Sequence, residues 1–231
     1  MKRFYKQAAI AECETGFGIH LDGRPVHTPA RAPLILPRAK LAEAIASEWR
    51  RQGDSIDPRT MPFTGLANGA IDQIATNREN FAAGIARYGE SDLLCYRAEG
   101  PSELIAREAA AWDPLLEWAQ RRYDVTLRVT KGIVPVEQPV ETLGRLSAAV
   151  MAFDPFTLAG LSTLVTLSGS LICGLAIVDG GHDTDVIWSA SEIDEVWEVE
   201  QWGEDADAAA RSARRRAEFG MARTFCDLAR G

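Results

Sequence analysis

The chain has 231 residues, 46% of them hydrophobic and 25% charged. These proportions supply a core for one large or two unequal domains and exclude a largely disordered, collagen-like or disulfide-scaffold chain. The net charge of −8 argues against nucleic acid or an anionic membrane surface as partner, because both are bound through cations. The charge is also uneven: twelve acids and no Lys or Arg fall between Leu146 and Ala210, and an Arg-rich end follows.

The first 36 residues read as β. Phe17, Ile19 and Leu21 alternate with Gly18 and His20, the period-2 pattern of a half-buried strand. Asp22-Gly23 predicts a two-residue hairpin turn. Arg24 to Thr28 is the expected return strand, confined to an edge by Pro25, and Leu34-Ile35-Leu36 is a further short strand. Pro37 is expected to open a helix carrying Leu41, Ile45 and Trp49 on one face, with Gly53 ending it. From Thr64 the period changes to 3.6. Ser102 is the expected cap of a helix that must kink or restart at Asp113-Pro114, with Asp113 as a new N-cap. Val125-Leu127-Val129 reads as a short strand. Asp185–Gln201 and Glu204–Ala229 read as the last two helices.

The change of period gives an α+β class: a small N-terminal antiparallel β domain with the first helix, residues 1–60, then a larger all-α domain, residues 61–231. Pro155–Val178 holds 24 residues without a charge, long enough to span a bilayer. Its flanks carry acids and no Lys or Arg, so it reads as two buried helices broken near Ser168-Gly169-Ser170, without stable membrane insertion. Cys13, Cys95, Cys173 and Cys226 form no C-x-x-C pair and suit a reducing compartment. The N-terminus shows no apolar leader, which points to a bacterial-type cytoplasmic protein.

Enzymatic signatures are sparse. There is no P-loop, H-E-x-x-H or nucleophile elbow. His20 and His27 are expected to face each other across the hairpin but lack a third metal ligand. His182, Asp183 and Asp185 could hold a divalent ion, although Asp185 or Thr184 capping the next helix explains them as well. Asp194, Glu195 and Glu198 crowd one helix with no local base, and like charges at that spacing are destabilising. Such acids, interleaved with Trp188, Trp197 and Trp202, suit a protein-facing surface.

Several segments in order carry a family resemblance. They are Arg3-Phe4-Tyr5, Leu21-Asp22-Gly23-Arg24, Thr28-Pro29, Glu48-Trp49 with Gln52, Met61-Pro62, Thr64-Gly65-Leu66 with Asn68, and Asp72. Asp92-Leu93-Leu94-Cys95-Tyr96-Arg97, Trp112-Asp113-Pro114-Leu115-Leu116-Glu117-Trp118 with Arg122-Tyr123, and Gln201-Trp202-Gly203 follow. In this order and spacing the chain resembles the assembly chaperones of the F1-ATPase α subunit. The resemblance implies a non-enzymatic protein without cofactor or metal. Such a protein binds the free α subunit, shields its apolar interface and releases it to β. It also implies that the functional acid, eight residues before Trp202, is Asp194, where Glu is common in the family. Glu195, Glu198 and Trp202 complete the expected partner-binding face, and Trp49, Trp112 and Asp113 are expected to give structural support. The alternative reading is a metal-assisted hydrolase built on Asp183, Asp185 and the acids that follow. A third is a membrane-associated assembly factor using Pro155–Val178.

Overall fold

The computed structural model describes residues 1–203 and 205–231. The chain divides into two compact units. One comprises residues 1–78, 154–160 and 224–231; the other comprises residues 79–153 and 161–223.

The first unit opens with an antiparallel sheet. Strand β1 (Ala8–Cys13) pairs with β2 (Gly16–Leu21) from Ala8↔Leu21 to Cys13↔Gly16. β2 also pairs with β3 (Arg24–Pro25) and with β4 (Ile35–Leu36). Asp22 and Gly23 take φ of 48° and 80°, the double positive φ that a type I′ hairpin turn needs. The register places His20 opposite Pro25, while His27 bridges to Pro33. The two histidines therefore do not face each other.

Helix α1 (Ala39–Arg50) buries Leu41 and Ile45 as the spacing predicts. Pro37 lies just outside its Arg38 N-cap, and the helix ends at Arg50, before Gly53. Trp49 packs on Tyr5 (5.7 Å between rings) beside Ala8, Leu21, Ile56 and Met61. Helix α2 (Pro62–Gly69) passes through a π-type turn at Ala70–Ile74 into α3 (Arg78–Ala86). Phe63 meets Phe225 in the same unit, with ring centroids 6.0 Å apart.

Among the described residues the regular structure of the second unit is helical apart from one parallel pair of two-residue strands, β5 (Tyr96–Arg97) and β6 (Thr130–Lys131). Between them α4 (Ser102–Tyr123) runs through Pro114 without restarting. Asp113 is no N-cap: it pairs with Arg97 at 2.6 Å, and Trp112 and Leu115 are buried on either side of it. That packing outweighs the single hydrogen bond a proline removes. Ser102 is the first helical residue and caps nothing. Val125–Val129 forms no strand. Side chains replace the missing neighbour: Thr142 Oγ1 serves the N–H and C=O of Thr126, and the Gln138 amide serves those of Arg128.

Helix α5 (Val140–Met151) leads to α6 (Pro155–Ser168) and α7 (Leu171–Asp179), which break at Ser168-Gly169-Ser170 as expected. Asp154 caps α6 by accepting from the N–H groups of Phe156 and Thr157. Every residue of α7 from Leu171 to Val178 is buried, which explains a helix apolar all round. A Cβ on Gly174 would lie 2.5 Å from Val165, so the close approach of α6 and α7 requires glycine. Among the described residues no helix is long and apolar enough to cross a membrane.

The region expected to be one helix from Asp185 is two, α8 (Thr184–Ser191) and α9 (Ile193–Trp202), with Glu192 at the break. The cap of α8 is Asp183, which accepts from the Asp185 and Val186 N–H groups. Helix α10 (Ala206–Arg230) closes the chain. Its expected start at Glu204 lies outside the described residues.

Candidate partner-binding helix

The residues that carry the family resemblance divide by direction. Most point inward and hold the backbone. Glu48 accepts from the Phe63 and Thr64 N–H groups (2.8 Å each) and from the Thr64 hydroxyl (2.7 Å), closing the start of α2. Gln52 donates to Thr60 Oγ1 and accepts from the Asp57 N–H. The Tyr5 hydroxyl donates to the Trp49 carbonyl, and the Thr28 hydroxyl to Asp72.

Asp92 and the aromatic segment do the same work in the second unit. Asp92 is fully buried and accepts from the Leu94 N–H and, at the start of α7, from the Ile172 N–H. Burial pushes its carboxyl up to about 6 despite these donors. Trp112 Nε1 donates to the Ala190 carbonyl at 2.7 Å, and the Arg97 guanidinium lies 5.0 Å from the Trp112 ring. Trp112 and Asp113 thus serve α4 and its neighbours, whereas Trp49 lies in the other unit. The Trp49 Nε1 is buried without a hydrogen-bond partner among the described residues.

Helix α9 is different. It brings Asp194, Glu195, Glu198 and Trp202 together, all exposed, and has no fully buried residue. Trp202 is 78% exposed, far from what packing asks of the largest side chain. Gly203, with φ of 90°, ends the helix, and its N–H reaches the Val199 carbonyl.

The acids are not left without cations, contrary to what the local sequence indicates. Arg215 of α10 reaches Glu192 and Glu195, each at 3.2 Å, and lies 5.4 Å from the Trp188 ring. Arg107 of α4 pairs with Glu200 at 2.7 Å and sits over the Trp197 ring at 4.8 Å. Two positions are left over. Glu198 has no ionic partner among the described residues. Asp194 meets another acid, Glu108 of α4, which is 1% exposed and accepts the Ala98 N–H. Burial first, and Asp194 next to it, raise the Glu108 carboxyl above its ordinary value. Burial likewise raises Glu192 to about 7, with Arg215 opposing the shift and Glu195 adding to it.

Sequence reasoning missed Glu108, Glu192, Arg107 and Arg215. Glu108, Arg107 and Arg215 lie on other helices, so no spacing along α9 signals them. Glu192 was hidden by the expectation of one continuous helix.

The residues proposed for a hydrolase are engaged elsewhere. Asp183 caps α8, and Asp185 pairs with Arg216 at 2.9 Å. Among the described residues no group of three or more His, Cys, Asp or Glu is arranged to hold a metal ion. No disulfide joins Cys13, Cys95, Cys173 and Cys226; burial pushes Cys95 and Cys173 up to about 12, which keeps them protonated and unreactive.

Comparison with known proteins returns one consistent family. The profile described as ATP12 chaperone protein matches residues 2–120. Protein ATP12, mitochondrial, of Saccharomyces cerevisiae is 23% identical over 251 aligned positions, covering 89% of this chain and 77% of that protein. The crystal structure of Atp12 from Paracoccus denitrificans superposes with a TM-score of 0.95 at 42% identity, covering 99% of this chain and 98% of that one. A point mutant of the P. denitrificans protein gives the same score and identity. A candidate chaperone from Agrobacterium tumefaciens gives 0.93 at 37% identity, over 98% and 85% of the two chains.

Proposed function

Because the chain belongs to the ATP12 chaperone family, we propose that it binds the free α subunit of F1-ATPase, shields its apolar interface and releases it to the β subunit. The family and the Agrobacterium tumefaciens relative are named as chaperones, and the proposed role involves no catalysis, cofactor or metal. A reducing bacterial cytoplasm is the setting that fits the exposed Cys13 thiol.

The observation that carries the reading is the outward face of α9. There an exposed Trp202 stands with Glu195 and Glu198, and Asp194 lies on the same helix, while Glu48, Gln52, Asp92 and Trp112 of the resemblance are buried in the fold. A ring subunit alone exposes apolar surface that associates wrongly. A helper must cover that surface and still yield to the proper neighbour. A modest interface edged by charge does both, since rim charges speed encounter more than they deepen affinity.

Size-exclusion chromatography with light scattering tests this, using the protein mixed with purified F1 α subunit, with and without β. A one-to-one complex that β dissolves is expected. Free protein beside aggregating α would overturn the reading.

A further inference from the structure

Helix α9 is amphipathic toward the outside, and acids alone do not describe its face. Val196 is 49% exposed, Val199 40% and Trp202 78%. They follow one another at intervals of three. At about 100° per residue each step turns the helix back by about 60°, so the three form one stripe about 120° wide with Val199 at its centre. On the same wheel Glu198 lies beyond the Trp202 edge and Glu200 beyond the Val196 edge, while Glu195 falls within the stripe between Val199 and Trp202. The stripe is therefore acidic on both sides. Its inner side is held by Trp197 under Arg107 and by Asp194 against Glu108, while the Arg215–Glu195 and Arg107–Glu200 ion pairs engage the Trp202 half of the stripe and the edge beyond Val196. These contacts anchor the helix and still leave Val196, Val199 and Trp202 exposed.

We propose that Val196, Val199 and Trp202 form the apolar centre of the client-binding surface, and that the occupant is a strip of apolar side chains on the α subunit flanked on both sides by Lys or Arg. The inference rests on the reading of the protein as an α-subunit chaperone and adds the chemistry of the contact. Charge selects the occupant. A purely apolar strip would leave Glu198 desolvated without an ionic partner, and an acidic one would be repelled. A basic rim meets the acids at the edge while the valines and the tryptophan are buried at the centre, the arrangement of apolar core and polar rim that stable interfaces use.

The test is a titration of purified α subunit by the intact protein, comparing wild type, the double variant Val196→Ser, Val199→Ser, and the control Val140→Ser. Val140 is 81% exposed at the start of α5. Serine and valine have similar helix propensity, so unchanged circular dichroism and melting are expected for both variants. The double variant keeps Trp202 and every acid, and should bind α at least about tenfold more weakly; the control should bind as wild type does. Wild type that binds α, with a double variant that binds equally well, overturns the stripe and leaves the chaperone reading in place. An equal loss in the control also overturns it, because exposed apolar surface in general would then suffice. A double variant that alters only the protein's own oligomeric mass identifies the stripe as a self-contact and overturns it as well. Wild type that fails to bind α overturns both readings together.

Discussion

Glu48 and Asp194 are both acids within the family resemblance, and the protein treats them in opposite ways. Glu48 is buried, and both of its oxygens receive N–H donors at the start of α2. Asp194 is exposed on α9 and has the Glu108 carboxyl behind it. The first arrangement satisfies a helix end that would otherwise carry orphaned donors. The second sets one carboxyl against another and gives Asp194 no cation among the described residues. The tryptophans repeat the contrast: Trp112 is buried with its Nε1 bonded to Ala190, while Trp202 stands in solvent. A residue type chosen for packing or capping finds its partners inside the fold. One whose partners are missing there is available for a partner outside it.

Removing the inward acid should have the largest effect on stability. Glu48→Ala strands the buried N–H and hydroxyl of Thr64 and the partly buried N–H of Phe63, and should cost at least about 3 kcal/mol, read as a lowered urea midpoint. A loss below about 1 kcal/mol would remove the distinction between the two acids.

The pH dependence should be intermediate. Asp92 is raised to about 6 and Glu192 to about 7, against ordinary values of 3.8 and 4.5. Across that window the folded chain holds more protons than the unfolded chain. The contribution of these two groups to stability is thus full below about pH 4 and lost as pH rises through about 7. Urea midpoints of wild type and Glu192→Gln, followed by tryptophan fluorescence, isolate the second group. The wild type should lose ground to the variant as pH rises from about 4.5 to 7, and a difference that runs the other way would contradict the assignment.

The outward acid should matter least for the fold. Asp194→Lys places an ammonium beside Glu108 and should change stability by no more than about 0.5 kcal/mol, while weakening α-subunit binding at least about tenfold. Normal binding by this variant would remove Asp194 from the site.

Local chemistry made much of the fold legible. Asp22-Gly23 announces its turn because few residues tolerate positive φ, and Ser168-Gly169-Ser170 announces the break in the uncharged run. Where local rules misled, distant partners decided. Pro114 reads as a restart, yet Arg97, from outside the helix, engages Asp113 and lets α4 continue. Val125–Val129 alternates like a strand, but Thr142 and Gln138 supply its hydrogen bonds from α5 and the segment before it. The acidic stretch looks uncompensated because Arg107 and Arg215 lie far from α9 in sequence.

By itself the sequence determined the small antiparallel sheet, the helical remainder, the interruption between α6 and α7, and the concentration of acids and tryptophans before the Arg-rich end. Periodicity, turn residues and charge are local properties, and each is written within a few positions. Only the tertiary structure decided which acids would be used up as caps and ion pairs, which would meet another acid, and which face of α9 would remain uncovered. Burial and pairing depend on what other helices bring into contact, and that is fixed only once the chain has packed.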